Sequence, residues 1–314
     1  MRGLSRAQQQ DFESEGFVVV EDVLDPDQEI AGVLAEYADA LDEIATDFLQ
    51  KGLIESTHRE LGFTERLIRV SQESGQPIPQ FFDFSLPQTG IRHDTPIRVG
   101  PAVFRLLTTP RLLDLVEDVV GTEIYSNPVQ HIRMKLPKRA IPEGFSSGLV
   151  TQIPWHQDNG VILPEADDAS ILTVWLPLLD ATVDNGCLRV IPRSHHDKVL
   201  HEHLHEDRVD LTLNQRMAGD VFDETQAVDV ELEPGQMSLH DVYMIHGAAA
   251  NRSGKRRTGV ALRYMPATSV FERHLRPADG KTGVPVDFAH RPLWLVKGVD
   301  RSGRNDFRVG HRTR

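Results

Sequence analysis

From about residue 122 to residue 265 the chain is a succession of short β-type runs separated by turns, and this limits the fold more than any other feature. The runs cover 123–136, 149–155, 171–178, 186–191, 228–232, 236–240 and 258–265. The pattern is that of a β-sandwich or barrel rather than of parallel βαβ units, whose strands alternate with amphipathic helices. The texture upstream is different. Residues 16–20 read as a strand, and Asp25-Pro26 with Gln28 reads as a helix start with capping-box spacing. Ile30, Val33, Leu34, Tyr37, Leu41, Ile44 and Phe48 then recur at helical spacing until Gly52. A second amphipathic helix is predicted over 55–70, a loop over 71–100, and a third helix from Thr109-Pro110 to Gly121. The polar, His-rich stretch 195–225 reads as a surface excursion, and the basic end 302–314 as a mobile tail.

These readings predict one domain over 1–314. A mainly helical layer (1–121) leads into a mainly β core (122–270), followed by a C-terminal extension (271–314). The single cysteine, Cys187, excludes an intrachain disulfide and suits a reducing, cytoplasmic compartment. Cys187 itself reads as an inert buried thiol. No apolar run approaches the roughly 18 residues of a membrane span. The first residues lack the apolar segment of a signal peptide. A net charge of −13 argues against nucleic acid and anionic membranes as partners.

Against that background one stretch carries chemistry: Pro154-Trp155-His156-Gln157-Asp158-Asn159-Gly160. On an extended strand residues i and i+2 share a face, so the His156 imidazole and the Asp158 carboxylate can converge on one cation. His246 is the candidate third ligand. Two histidines and one carboxylate make a facial triad, which leaves positions open on an octahedral ion and is diagnostic of non-haem Fe(II) oxygenases. A closed zinc site would want four ligands, usually including cysteine. Arg256 and Arg257 follow, just before the last core strand. An arginine fork holds a carboxylate in bidentate fashion, and as strand neighbours only one of the two can face inward.

The chain resembles the phytanoyl-CoA dioxygenase family of Fe(II)- and 2-oxoglutarate-dependent oxygenases. The resemblance rests on Trp155-His156-Gln157-Asp158, on Trp175-Leu176-Pro177-Leu178 with Asp180-Ala181-Thr182, and on Asp184 through His195. It is completed by His246-Gly247 with Asn251, Ser253 and Arg257. It is clear over about 120–265 and weaker before; Arg193 stands where the family usually has glycine. It implies a double-stranded β-helix (jelly roll, cupin-like) core with flanking helices. His156, Asp158 and His246 would hold Fe(II), and Arg257 would bind the distal carboxylate of 2-oxoglutarate. Trp175 matches a cavity-lining tryptophan and Lys135 a pocket lysine. Period two puts His131 and Arg133 on the face of Lys135, as further pocket-wall candidates. The family activity is oxidation of a small molecule by O2 with decarboxylation of 2-oxoglutarate to succinate.

Halogenating relatives carry a small residue at the carboxylate position, so Asp158 favours hydroxylation. Epimerisation, desaturation and cyclisation remain the alternatives within the same cofactor chemistry, and a non-catalytic jelly-roll binding protein remains the alternative outside it. The basic run Arg133, Lys135, Lys138, Arg139 points to an anionic substrate. A second metal site among His195, His196, His201, His203 and His205 is disfavoured by the polar, irregular context. His195, Asn251 and Ser253 read as turn formers. Neither the substrate's identity nor the oligomeric state is written in the sequence.

Overall fold

A computed structural model describes residues 3–76, 78, 82, 98–141, 152–158, 171–205, 215–218, 221–271 and 290–307. Among these residues the core is two facing antiparallel sheets. The larger runs in the order β1 (Phe17–Val20), β10 (Met237–Asp241), β5 (Leu172–Pro177), β12 (Arg257–Pro266), β2 (Ile124–Ser126) and β13 (Trp294–Lys297). The remaining strand of this sheet, β3 (His131–Lys135), pairs with the first half of β12, on the same edge that β2 takes further along. The smaller sheet runs β4 (Ile153–His156), β11 (His246–Ala248), β6 (Leu188–Val190) and β9 (Val228–Val230); β7 (His203–His205) and β8 (Gln215–Met217) form a separate pair, and α1 (Arg6–Glu15) precedes β1. Mainly β with flanking helices is therefore the observed class, with a jelly-roll core.

Alternation along the strands explains the layering. Leu172, Val174, Leu176, Met237, Leu239, Val260, Leu262 and Tyr264 point away from the smaller sheet and join one apolar cluster with the helices. Their neighbours in sequence, Thr173, Trp175, Ser238, His240, Arg257, Gly259, Ala261 and Arg263, face the space between the sheets. An apolar cluster of Trp175, Cys187, Leu188, Val190, Val230 and Leu232 fills one part of that space.

The helical layer differs from the sequence reading in three details. Asp25 does cap the first long helix, but Glu29 rather than Gln28 returns the bond to the Asp25 N–H, through a π-type turn (Pro26–Ile30) before α2 (Ala31–Gln50). The next helix, α3, spans Phe63–Ser74 rather than 55–70. Residues 58–62 turn first, with His58 at φ 50°, and Gly75 in the left-handed region ends the helix late. A short helix, α4 (Pro101–Leu107), precedes α5 (Pro110–Val120) and was not anticipated. The predicted loop 71–100 falls largely outside the described residues; of the predicted run 149–155, residues 152–155 are described, and the strand there is β4 (Ile153–His156).

The predicted run 123–136 is two strands, because Pro128 lacks an N–H to give and Asn127 turns back on the Val129 N–H. The first and last described strands both join the larger sheet: β1 pairs with β10, and β13 pairs with β2. Among the described residues no helix is long and apolar enough to cross a membrane. Leu239 sits fully buried in β10 between β1 and β5. Leu239→Ala is expected to cost about 2–5 kcal/mol, read as a lower urea midpoint at unchanged slope.

Candidate active site

The two histidines are cross-strand partners. His246 of β11 lies opposite His156 of β4, with ring centroids 4.1 Å apart. Each ring is fixed the same way. Nδ1 of His156 donates to the Pro154 carbonyl at 2.9 Å, and Nδ1 of His246 to the Met244 carbonyl at 3.0 Å. A carbonyl only accepts, so the proton is on Nδ1 and the Nε2 lone pairs are bare. Both point at Asp158 just past β4, with Nε2–Oδ1 separations of 3.8 and 3.9 Å. One donor atom from each of the three residues lies within 4.8 Å of the others, all buried. It is the one such cluster among the described residues. Burial, only partly offset by Asp158, lowers His156 to about 4; burial and then the neighbouring His156 hold His246 well below the ordinary range. Both imidazoles are neutral at pH 7, the form that binds a metal.

The larger sheet holds Asp158 from the other side. Thr173 of β5 donates its hydroxyl to Oδ2 at 2.7 Å, and Arg263 of β12 donates Nη2 to Oδ1. His240 of β10 sits 3.7 Å from Oδ2, with neither ring nitrogen hydrogen-bonded. Burial by itself would raise this carboxyl. Arg263 above all outweighs it and keeps Asp158 well below the carboxylate range. Thr173, His240 and Arg263 were not singled out from the sequence. Arg263 could have been: it lies six residues after Arg257 on one strand, and an even offset means the same face.

The second constellation is cationic. Arg257 and Lys135 are partners on β12 and β3, almost wholly inaccessible to water. Nε and Nη2 of Arg257 and Nζ of Lys135 all donate to the Gly186 carbonyl, at 3.2, 3.1 and 3.0 Å, and Lys135 also donates to the Ala249 carbonyl. Gly186 must be glycine here. Its φ is 76°, and a Cβ would come within 2.6 Å of the Lys135 Nζ. Nη1 of Arg257 has no partner. Burial, then Arg257, pushes Lys135 well down, and burial lowers Arg257 to about 10. The Trp175 ring lies 5.2 Å from the Arg257 guanidinium. Gly259 leaves room between them, since a Cβ would meet the indole at 2.7 Å. Arg256 turns to the other face, donates to Thr258 and Thr64, and stacks on Phe63 at 4.1 Å.

His131 and Arg133 share the Lys135 face, opposite Ala261 and Gly259. Lys138 and Arg139 do not. They are exposed on a 3-10 turn (Lys138–Ala140), so the basic run divides between the interior and the surface. The His-rich excursion is largely exposed in its described residues, as read, but not at His203. It starts back over the smaller sheet, and His203 is 3% exposed. His203 Nε2 accepts the Gln157 N–H at 3.1 Å, and the Gln157 side chain bonds the backbone of Val199, His201 and Tyr243. Polar composition predicted exposure; saturated hydrogen bonding allows burial instead. Cys187 is buried, and burial raises its thiol to about 11. Asn251 and Ser253 form a turn through the Asn251 Oδ1.

Fold and site together define a jelly-roll protein whose buried two-histidine, one-carboxylate set fits Fe(II). The chain belongs to the phytanoyl-CoA dioxygenase (PhyH) family, which it matches over residues 12–259. It is 29% identical over 168 residues to a probable phytanoyl-CoA dioxygenase of Caenorhabditis elegans, covering 52% of this chain and 51% of that one. It thus spans about half the length of that relative. Among solved structures it resembles the non-heme monooxygenase ThoJ, with 19% identity, coverage of 95% and 85% and a TM-score of 0.54. It also resembles the epimerase SnoN in complex with Fe3+, alpha ketoglutarate and nogalamycin RO, with 20% identity, coverage of 90% and 93% and a TM-score of 0.52.

The buried cation pair is a liability without an anion. In the unfolded chain Lys135 takes up its proton near 10.5; the folded protein does so only at lower pH. Folding therefore loses stability as pH falls below 10.5. Lys135→Met is expected to raise the urea midpoint of the ligand-free protein at pH 8, the advantage shrinking towards zero as pH approaches 10.5.

Proposed function

We propose that this protein is an Fe(II)- and 2-oxoglutarate-dependent dioxygenase that hydroxylates a small molecule. The observation that carries the reading is the pairing of two sites in one interior: three convergent metal donors, and a buried arginine with a free Nη1. His156, Asp158 and His246 would hold Fe(II) on one side, leaving positions for cosubstrate and O2. Arg257 would grip the far carboxylate of 2-oxoglutarate, with Lys135 adding charge and Trp175 walling the cavity. The bound iron with 2-oxoglutarate and O2 supplies the oxidising power, and the cosubstrate leaves as succinate and CO2. The chain's contribution is orientation and exclusion of water. The Nδ1 anchors fix the two imidazoles, Thr173 fixes the carboxylate, and Gln157 ties the 199–203 segment down beside the donors.

We place the substrate among acidic small molecules. In a chain of net charge −13, the described face between the sheets carries Arg133, Lys135, Arg257 and Arg263 against Asp158. Arg133 lies on the Lys135 face of β3, opposite Gly259, and adds to that positive charge. The cytoplasm suits the single buried thiol of Cys187.

Anaerobic addition of Fe(II) and 2-oxoglutarate is expected to give a weak visible charge-transfer band that His246→Ala abolishes. A wild type without the band, or a band unchanged in His246→Ala, would overturn the metal assignment. Arg257→Met is expected to raise KM for 2-oxoglutarate at least about 30-fold, from the loss of roughly 2 kcal/mol at a desolvated charge pair. Succinate release in a screen of acidic metabolites identifies the substrate and excludes a non-catalytic binding protein.

A further inference from the structure

Asp158 is the sole buried acid among the described residues, and Arg263 draws on it. Its Oδ1 is the oxygen nearest both bare Nε2 atoms, and it is also the oxygen that accepts from Arg263. Arg263 cannot easily move away. Its Nη1 donates to the Val129 carbonyl at 3.0 Å. Its backbone N–H donates to Gln130 Oε1 at 2.8 Å, and its carbonyl accepts from the Gln130 amide and the Asn127 N–H at 2.8 and 2.9 Å. Side chain and main chain are thus both pinned, at 4% exposure. A metal ion entering between His156, His246 and Asp158 meets a carboxylate already neutralised by a fixed guanidinium.

We propose that Arg263 is a positioning residue for the metal centre: a permanent counter-ion that stabilises Asp158 in the metal-free protein and weakens its hold on the metal. The inference rests on the metal-site reading of His156, Asp158 and His246. The sign follows from charge. Arg263 and the metal are both positive and share one oxygen, so each lowers the other's hold on the carboxylate, and the coupling is reciprocal. Orientation survives the loss of Arg263, because Thr173 still fixes Oδ2 from the same sheet. A residue serving only as packing would lower stability when replaced without tightening metal binding.

The test uses Mn(II), which is stable in air, with the full-length metal-free protein. Arg263→Gln removes the charge and keeps an N–H donor. It is expected to lower the metal-free Tm by several degrees, because the buried carboxylate loses its partner. The same variant is expected to tighten the Mn(II) Kd by about tenfold, within the usual range of such couplings, and to show a larger Mn(II)-induced rise in Tm. Arg263→Lys keeps the charge and is expected to bind Mn(II) like the wild type. A folded Arg263→Gln whose Kd is unchanged or weaker overturns the proposal, as does an Arg263→Lys that tightens equally. If Arg263→Gln does not fold metal-free, refolding with Mn(II) is expected to recover it; failure with Mn(II) as without also overturns the proposal. A wild type that binds no Mn(II) overturns the metal reading beneath it instead.

Discussion

A carboxylate with almost no contact with water must be matched by donors and cations, and in this protein Asp158 sets the arrangement of everything around it. The smaller sheet brings two neutral imidazoles to one side of it; the larger sheet brings a hydroxyl and a guanidinium to the other. The sheets are joined here by a polar contact rather than by apolar packing. The apolar cluster around Trp175 and Leu188 lies beside this contact and needs no polar group of its own. Removing Asp158 would therefore strand a buried arginine as well as remove a candidate metal donor.

The second constraint is the opposite one. Lys135 and Arg257 are buried like charges that share a carbonyl and have no acid of the described chain against them. Such a pair lowers stability unless an anion arrives, and that is how a binding site differs from a structural ion pair. The interior thus holds one satisfied charge cluster and one unsatisfied cluster. The satisfied one fits a cation-binding set, and the unsatisfied one fits an acidic ligand.

Much of this was legible in the sequence, for reasons that can be named. His156 and Asp158 are local, and the two-residue offset flagged them although β4 itself ends at His156. His246 and Arg257 stand in short motifs whose order the family shares. That only one of Arg256 and Arg257 faces inward follows from alternation, the family order favoured Arg257, and β12 turns Arg256 to Phe63 and Arg257 to Trp175. What stayed hidden depends on register. Thr173, His240 and Arg263 reach Asp158 only because β10, β5 and β12 lie side by side in that order, which no local pattern encodes. His203 was hidden for another reason, since polar composition signals exposure until hydrogen-bond partners are known. The misplaced start of α3 is local: a turn at His58–Gly62, with His58 in the left-handed region, delays the helix to Phe63.

β12 carries both arginines, six residues apart on one face, or about 20 Å of strand at ~3.3 Å per residue. It works as a ruler whose two marks are the proposed anion clamp and the partner of Asp158. Inserting or deleting one residue inside it would turn one mark out of the interior while the other stayed, since parity reverses at each step. Lineages of such a protein can therefore lengthen and reshape their loops freely, but the span from Arg257 to Arg263 is a fixed length of chain.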